Sequence, residues 1–91
     1  MKILLVEDEH KIASAVKRGL EIDSFAVDVE YDGDAGLAAA LGDSYDLIIL
    51  DRMLPGKEGV DVCRELRAAE HHEPILLLTA KDQVKDRVEG L

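Results

Sequence analysis

Acidic side chains follow two short apolar runs of the sequence, at the point where each run stops. Glu7 and Asp8 follow the first run, and Asp51 follows the second. If the two runs end side by side, carboxylates about 5 Å apart repel each other by roughly 3 kcal/mol at an effective dielectric constant of 20. Such a cluster needs a bound cation or raised pKa values. Oxygen-only ligands favour a hard ion, and room for water and phosphate oxygens favours Mg²⁺ over Ca²⁺.

An aspartate held beside bound Mg²⁺ is also placed to act as a nucleophile. Asp51 would attack phosphorus and form an aspartyl phosphate, while the metal holds the phosphoryl oxygens. The hydroxyl of Thr79, which ends another apolar run, would donate a hydrogen bond to a further phosphoryl oxygen. The simpler alternative is that residues 7–9 form a solvated acidic turn at a helix N-terminus, where acids are favoured. The presence of Asp51 and Thr79 at equivalent strand ends argues against it.

Continuous apolar runs predict the strands that carry these residues. The runs at 3–6, 47–50 and 75–78 lack the alternation of a half-exposed strand, as is typical of a parallel sheet covered on both faces. Residues 25–31 alternate instead, which predicts a strand with one wetter face near an edge. Helical spacing separates the strands, and a further helix is predicted around residues 84–88. The order indicates an α/β fold with a doubly wound parallel sheet, in which the carboxyl ends of the strands form the binding crevice.

Length and composition fit one soluble domain over residues 1–91. Twenty acidic and eleven basic side chains give a net charge of −9, which repels nucleic acid phosphates and anionic membranes. A single cysteine, Cys63, cannot form an internal disulfide, and the first residues are too short and too acidic for a signal peptide or a membrane span. His10, His71 and His72 are interpreted as solvated side chains. We therefore expect a cytoplasmic protein that makes no direct contact with nucleic acid or membrane.

Three segments, "ILLVEDE", "DLIILDRMLPGKEG" and "ILLLTAKD", resemble in order and separation the signatures of the receiver domain of two-component response regulators. The resemblance covers the whole chain and implies a flavodoxin-like (CheY-like) receiver with strand order 2-1-3-4 and the fifth strand missing. It is similar in particular to regulators that carry a C-terminal winged-helix DNA-binding domain, which this sequence does not contain. Such a module would switch conformation to control transcription through that domain.

The resemblance also implies roles for individual residues. Asp51 would be the phosphoacceptor, taking a phosphoryl group from a sensor histidine kinase. Glu7 and Asp8 would belong to the acidic pocket, and Mg²⁺ would be held by Asp8, Asp51 and the backbone carbonyl of Met53. Thr79 would be the switch hydroxyl that turns toward the phosphoryl group.

The sequence departs from the family at its C-terminal side. The family's fifth strand ends in a lysine that pairs with the phosphoryl group and is followed by a fifth helix, and this sequence stops before both. The fourth strand would then have an open apolar edge, and such edges recruit another chain. We expect either self-association through this edge or completion by further segments.

Two other functions remain open at this point. Without the lysine, the chain would be a structural receiver fragment that is not competent for phosphorylation. A phosphohydrolase with an Asp nucleophile is the weaker alternative, because such enzymes place a second Asp two residues after the nucleophile, where this chain has Met53. Flavin binding is disfavoured, because the acids of "EDEH" would repel the cofactor phosphate.

Overall fold

A computed structural model describes residues 1–78, which form four strands and three helices. Their bounds in chain order are β1 (Lys2–Val6), α1 (His10–Ile22), β2 (Ala26–Glu30), α2 (Gly33–Gly42), β3 (Leu47–Asp51), α3 (Gly59–Ala68) and β4 (Ile75–Leu78). The strands predicted from the apolar runs are confirmed. Thr79 and the helix predicted around residues 84–88 lie outside the described residues. No helix within residues 1–78 is long and apolar enough to cross a membrane.

The four strands form one parallel sheet in the order β2-β1-β3-β4. From β1 the chain first adds β2 on one side and then adds β3 on the other, so strand order reverses between β1 and β3. This doubly wound arrangement confirms the flavodoxin-like strand order 2-1-3-4. The carboxyl ends of β1 and β3 therefore lie side by side at the position where such sheets bind ligands.

Alternate residues of the central strands serve two separate cores. Leu4, Val6, Ile48 and Leu50 pack with residues of α2 and α3 on one face, whereas Ile3, Leu5 and Ile49 pack with α1 on the other. Burial on both faces explains why residues 3–6 of β1 and residues 47–50 of β3 are all aliphatic. Each fully buried Leu or Ile contributes about 1.5–3 kcal/mol relative to an exposed one. The buried strands thus fix the positions of the acidic residues at their carboxyl ends.

Strand β2 has the wetter face predicted for it. Val27 is buried beneath α1, whereas the next residue, Asp28, is exposed and accepts a hydrogen bond of 2.7 Å from the Tyr45 hydroxyl. This strand lies at an edge of the sheet because only β1 pairs with it in the described part of the chain.

Helix α2 begins at a capped turn and lies close to the sheet. The side chain of Asp32 accepts a hydrogen bond of 2.7 Å from the Ala35 N–H, and a cap of this kind contributes about 0.5–2 kcal/mol. Gly36 faces β1 so closely that an added Cβ would lie 2.7 Å from a Val6 methyl group. The small residues of this helix therefore allow close packing on the sheet.

Candidate metal centre

The carboxyl ends of β1 and β3 bring three acidic side chains together. Val6 pairs with Leu50 in the parallel register, so Glu7 and Asp51 occupy equivalent positions one residue further along. One carboxylate oxygen from each of Glu7, Asp8 and Asp51 lies within 4.8 Å of the other two. We call these three residues the acidic cluster.

Backbone hydrogen bonds hold Glu7 in place beyond the end of β1. Its N–H donates to the carbonyl of Glu30 at 3.0 Å, which extends the ladder between β1 and β2 by one step. Its side-chain Oε2 accepts a hydrogen bond of 2.9 Å from the Glu9 N–H. Glu7 is buried and Asp8 half-buried, so Glu7 forms the floor of the cluster and Asp8 its more accessible side.

Asp51 is fixed from the other side by the start of α3. Its Oδ1 accepts a hydrogen bond of 3.1 Å from the Met53 N–H, and the side chain is buried. Arg52 donates its N–H to the carbonyl of Leu78 and accepts one from Gly59. A Cβ on Gly59 would collide with the backbone oxygen of Asp51, so α3 begins directly against the end of β3.

The electrostatics of the cluster act most strongly on Glu7. Burial raises the pKa of this carboxyl to about 7, the Glu9 N–H opposes the rise, and the negative charge of Asp51 adds to it. Among residues 1–78, no lysine, arginine or histidine forms an ion pair with any member of the cluster. The negative charge is therefore met in part by a proton on Glu7.

The donor set fits a hard divalent cation. All three side chains offer carboxylate oxygens, and oxygen ligands of this kind suit Mg²⁺, Ca²⁺ and Mn²⁺ rather than the softer metals that select sulfur. Three carboxylates supply too few ligands for a closed protein cage, so other oxygens would complete the coordination. An accessible side at Asp8 leaves room for water or phosphate oxygens.

The loop between β3 and α3 rests on the start of α2. The N–H of Gly33 donates to the carbonyl of Pro55 at 3.0 Å, and a Cβ on Gly33 would collide with the carbonyl of Lys57. Gly56 has a φ angle of +81°, in the left-handed region that L side chains rarely adopt. The sequence "PGKEG" thus forms a tight turn that leads from the end of β3 into α3.

An aromatic pair, formed by the first residue of α1 and the residue after β2, was not predicted from the sequence. The rings of His10 and Tyr31 stack with their centroids 3.9 Å apart and their planes 6° from parallel. His10 comes two residues after Asp8, and Tyr31 follows Glu30, whose carbonyl bonds to Glu7. The stack therefore joins the start of α1 to the turn that follows β2. The one sequence signal for it is that both residues come after adjacent strands.

Met53 and Thr79 are the two remaining predicted site residues. The side chain of Met53 is 66% exposed and its N–H is bonded to Asp51, while the ligand role predicted for its carbonyl stays a prediction. Thr79 lies outside the described residues, although it directly follows Leu78, which pairs with Asp51 in the sheet.

Comparison with known proteins identifies the family. Residues 3–91 match the family model of the response regulator receiver domain. The response regulator ArlR of Staphylococcus haemolyticus is 48% identical over 89 residues, which cover 98% of this chain and 40% of that protein. This chain therefore spans well under half the length of that relative.

Solved structures agree with the sequence match. The BeF3-activated N-terminal receiver domain of Klebsiella pneumoniae RstA superposes with a TM-score of 0.83 at 35% identity, covering 98% of this chain and 75% of that one. The Thermotoga maritima response regulator TrrA, solved in complex with the histidine kinase ThkA, has a TM-score of 0.80 at 28% identity, covering 98% of this chain and 96% of that one. By fold, motifs and similarity, this chain belongs to the response regulator receiver domain family.

Proposed function

We propose that residues 1–91 form one receiver module in which Asp51 accepts a phosphoryl group in the presence of Mg²⁺. Receiver domains are signalling modules rather than metabolic enzymes. The observation that carries the proposal is the meeting of three carboxylates within 4.8 Å at the strand-order reversal, with Asp51 at the end of β3.

The side chains of the acidic cluster would have different roles. Asp8 and Asp51 would ligate the metal directly, joined by the Met53 carbonyl, and Glu7 would add negative charge behind them. Bound Mg²⁺ would neutralise the carboxylates and the phosphoryl oxygens, which lets two anions approach. The hydrogen bond from the Met53 N–H to Oδ1 of Asp51 would help to fix the orientation of this carboxylate.

The proposed reaction forms one bond and breaks one bond. A carboxylate oxygen of Asp51 attacks the phosphorus of a phosphohistidine, which forms the acyl phosphate O–P bond. The P–N bond of the donor breaks, and the imidazole nitrogen keeps the electron pair and takes a proton from solvent. Asp51 acts here as a nucleophile on a phosphoryl group already activated by its leaving group.

We propose a sensor histidine kinase as the donor, and the complex of TrrA with ThkA supports this by similarity. The output would be a conformational shift near Thr79, which follows the pairing partner of Asp51 in the sheet. In a longer protein, a winged-helix DNA-binding domain would convert this shift into control of transcription.

Intact-mass spectrometry after incubation with acetyl phosphate and Mg²⁺ tests the proposal. We expect a phosphoryl-sized increase in mass that disappears when Mg²⁺ is chelated and is absent from Asp51→Asn. The matched control is Asp23→Asn, which removes an exposed acid just after α1, at the opposite end of the sheet. This control should be modified like the wild type.

The other outcomes separate the alternatives. A folded protein that binds Mg²⁺ but gains no mass would be a receiver fragment without phosphotransfer. Continuous release of phosphate from a generic phosphoester would favour the phosphohydrolase. Modification of Asp51→Asn to the same extent as the wild type would place the phosphoryl group elsewhere.

A further inference from the structure

The outer edge of β2 offers unpaired backbone groups to a second chain. The Ala26 N–H bonds to the Met1 carbonyl and the Glu30 carbonyl accepts from Glu7, both toward β1. In a parallel ladder, alternate residues bond to the same neighbour, so Val27 and Val29 direct their N–H and carbonyl groups outward. No strand within residues 1–78 pairs with this side of β2.

A groove runs along the same edge. It has a volume of about 420 Å³ and is lined by residues of α1, by β2 and by Tyr45. On the side of α1 the lining includes Ser14 and Lys17, and the Lys17 ammonium is 3.9 Å from a carboxylate oxygen of Glu21. The volume lies within the range of clefts that bind small ligands.

The two faces of the edge differ in chemistry. Side chains alternate along a strand, so Val27 and Val29 lie on the face of α1, and Asp28 and Glu30 lie on the opposite face. An added strand would therefore meet apolar side chains on one face and carboxylates on the other.

The carboxylates of this edge are incompletely neutralised. Lys2 lies 3.9 Å from Asp28, but the same ammonium also bonds to the carboxylate of Asp43. Glu30 forms no ion pair with another of the described residues. A second copy of β2 at this edge would bring like charges together, which is unfavourable for directly opposed cross-strand pairs. A basic strand would have the complementary charge.

We propose that the outer edge of β2 binds an extended basic segment of a partner protein as an added strand. The segment would carry Lys or Arg at alternate positions, opposite Asp28 and Glu30, and aliphatic residues between them, opposite Val27 and Val29. Backbone hydrogen bonds to the two valines supply the pairing, and the carboxylates select the charge, as in other strand-addition complexes. The proposal does not depend on phosphorylation of Asp51.

A short capped peptide that alternates Lys and Val is the probe. Amide chemical shifts of the whole chain are followed during titration at low and at moderate salt. We expect the largest changes at residues 26–31. Asp28→Asn with Glu30→Gln should weaken binding roughly tenfold, as for the loss of two partly exposed charge pairs. The side-chain amide at position 28 of this variant keeps an oxygen that accepts from the Tyr45 hydroxyl, so the fold is preserved.

Two controls distinguish strand addition from general attraction to an acidic protein. A peptide with N-methyl groups on the amides that would face β2 keeps its charge but loses the hydrogen bonds, and it should bind at least tenfold more weakly. Glu58→Gln with Glu70→Gln also removes two charges, one at each end of α3, and it should leave the affinity within twofold of the wild type. Equal binding of the methylated peptide, or shift changes centred on the acidic cluster, would overturn the proposal.

Discussion

Glu7 is where burial and negative charge act on the same carboxyl group. Burial raises its pKa to about 7, and the neighbouring Asp51 adds to the rise. Below that pH the metal-free protein holds a proton on Glu7, and a cation in the cluster must displace it. We expect Mg²⁺ affinity to increase as the pH rises from about 6 to about 8. Calorimetry in buffers of different ionisation enthalpy should detect the released proton.

The raised pKa of Glu7 also makes the stability of the metal-free protein depend on pH. The carboxyl titrates near 4.5 when unfolded and near 7 in the folded protein, so between these values the folded state binds more protons. Its free energy of unfolding therefore falls as the pH rises through this window. Glu7→Gln removes this titration. In urea unfolding, the free energy of unfolding of the variant should therefore rise relative to that of the wild type from about pH 5 to about pH 8. A constant difference between the two proteins would contradict this reasoning.

Individual residues were predictable only where sequence position determines spatial position. Asp51 and Glu7 each end an apolar strand, so the sheet carries them to the same edge whatever the loops do. The stack of His10 on Tyr31 depends instead on how the chain turns between β1 and α1 and after β2, which the sequence pattern does not determine. The hydrogen bond from the Met53 N–H to Asp51 is likewise a property of the turn.

Glycines in α2 and α1 provide a matched pair of substitutions that test how helix packing affects stability. Gly36→Ala in α2 places a methyl group 2.7 Å from a side-chain carbon of Val6 in β1, and overpacking of this kind destabilises by about 1–3 kcal/mol. Gly19→Ala in α1 meets no atom within 4 Å, so the better helix former should stabilise by about 0.5–1 kcal/mol. Urea unfolding measures both changes. The same sign for both variants would show that close packing of α2 on β1 does not limit stability.

Within residues 1–78, strand β4 is the second edge of the sheet. We expect either self-association through this edge or its completion by further segments, and the first alternative can be tested. No strand within residues 1–78 pairs with its outer side, and Leu76 is 50% exposed. Leu76→Lys puts a charge on this edge, which natural sheets use to prevent pairing. Sedimentation velocity should show concentration-dependent association of the wild type and of Leu41→Lys, an exposed position on α2, but not of Leu76→Lys. A monomeric wild type would exclude this mode of association.

The elements differed in how clearly the sequence marked them. The strands β1 and β3 were evident because burial on both faces requires four aliphatic residues in a row. Helix α2 had a weak pattern because small residues occupy most of it, and its place depends on the Asp32 cap and the contact of Gly36 with Val6. The strand order came from family resemblance, since local patterns do not determine which side of β1 receives β3.

The whole molecule has a net charge of −9, and its acidic cluster has no ionic partner among residues 1–78. These charges lead to one prediction about stability. A cation that binds only the folded state at about ten times its dissociation constant stabilises by about 1.4 kcal/mol. For a domain of this size, that corresponds to a rise in melting temperature of roughly 6–11 °C. We expect Mg²⁺ to produce this rise in a thermal unfolding experiment monitored by circular dichroism.

The controls for this measurement must separate site binding from charge screening, because any salt reduces the self-repulsion of an acidic chain. Sodium chloride at matched ionic strength should raise the melting temperature less than Mg²⁺ does. Asp51→Asn removes a ligand together with one repulsive charge, so its metal-free form should be at least as stable as the wild type but respond less to Mg²⁺. An equal response of the two proteins would mean that Mg²⁺ acts on the overall charge, and the acidic cluster would then have no specific role as a metal site.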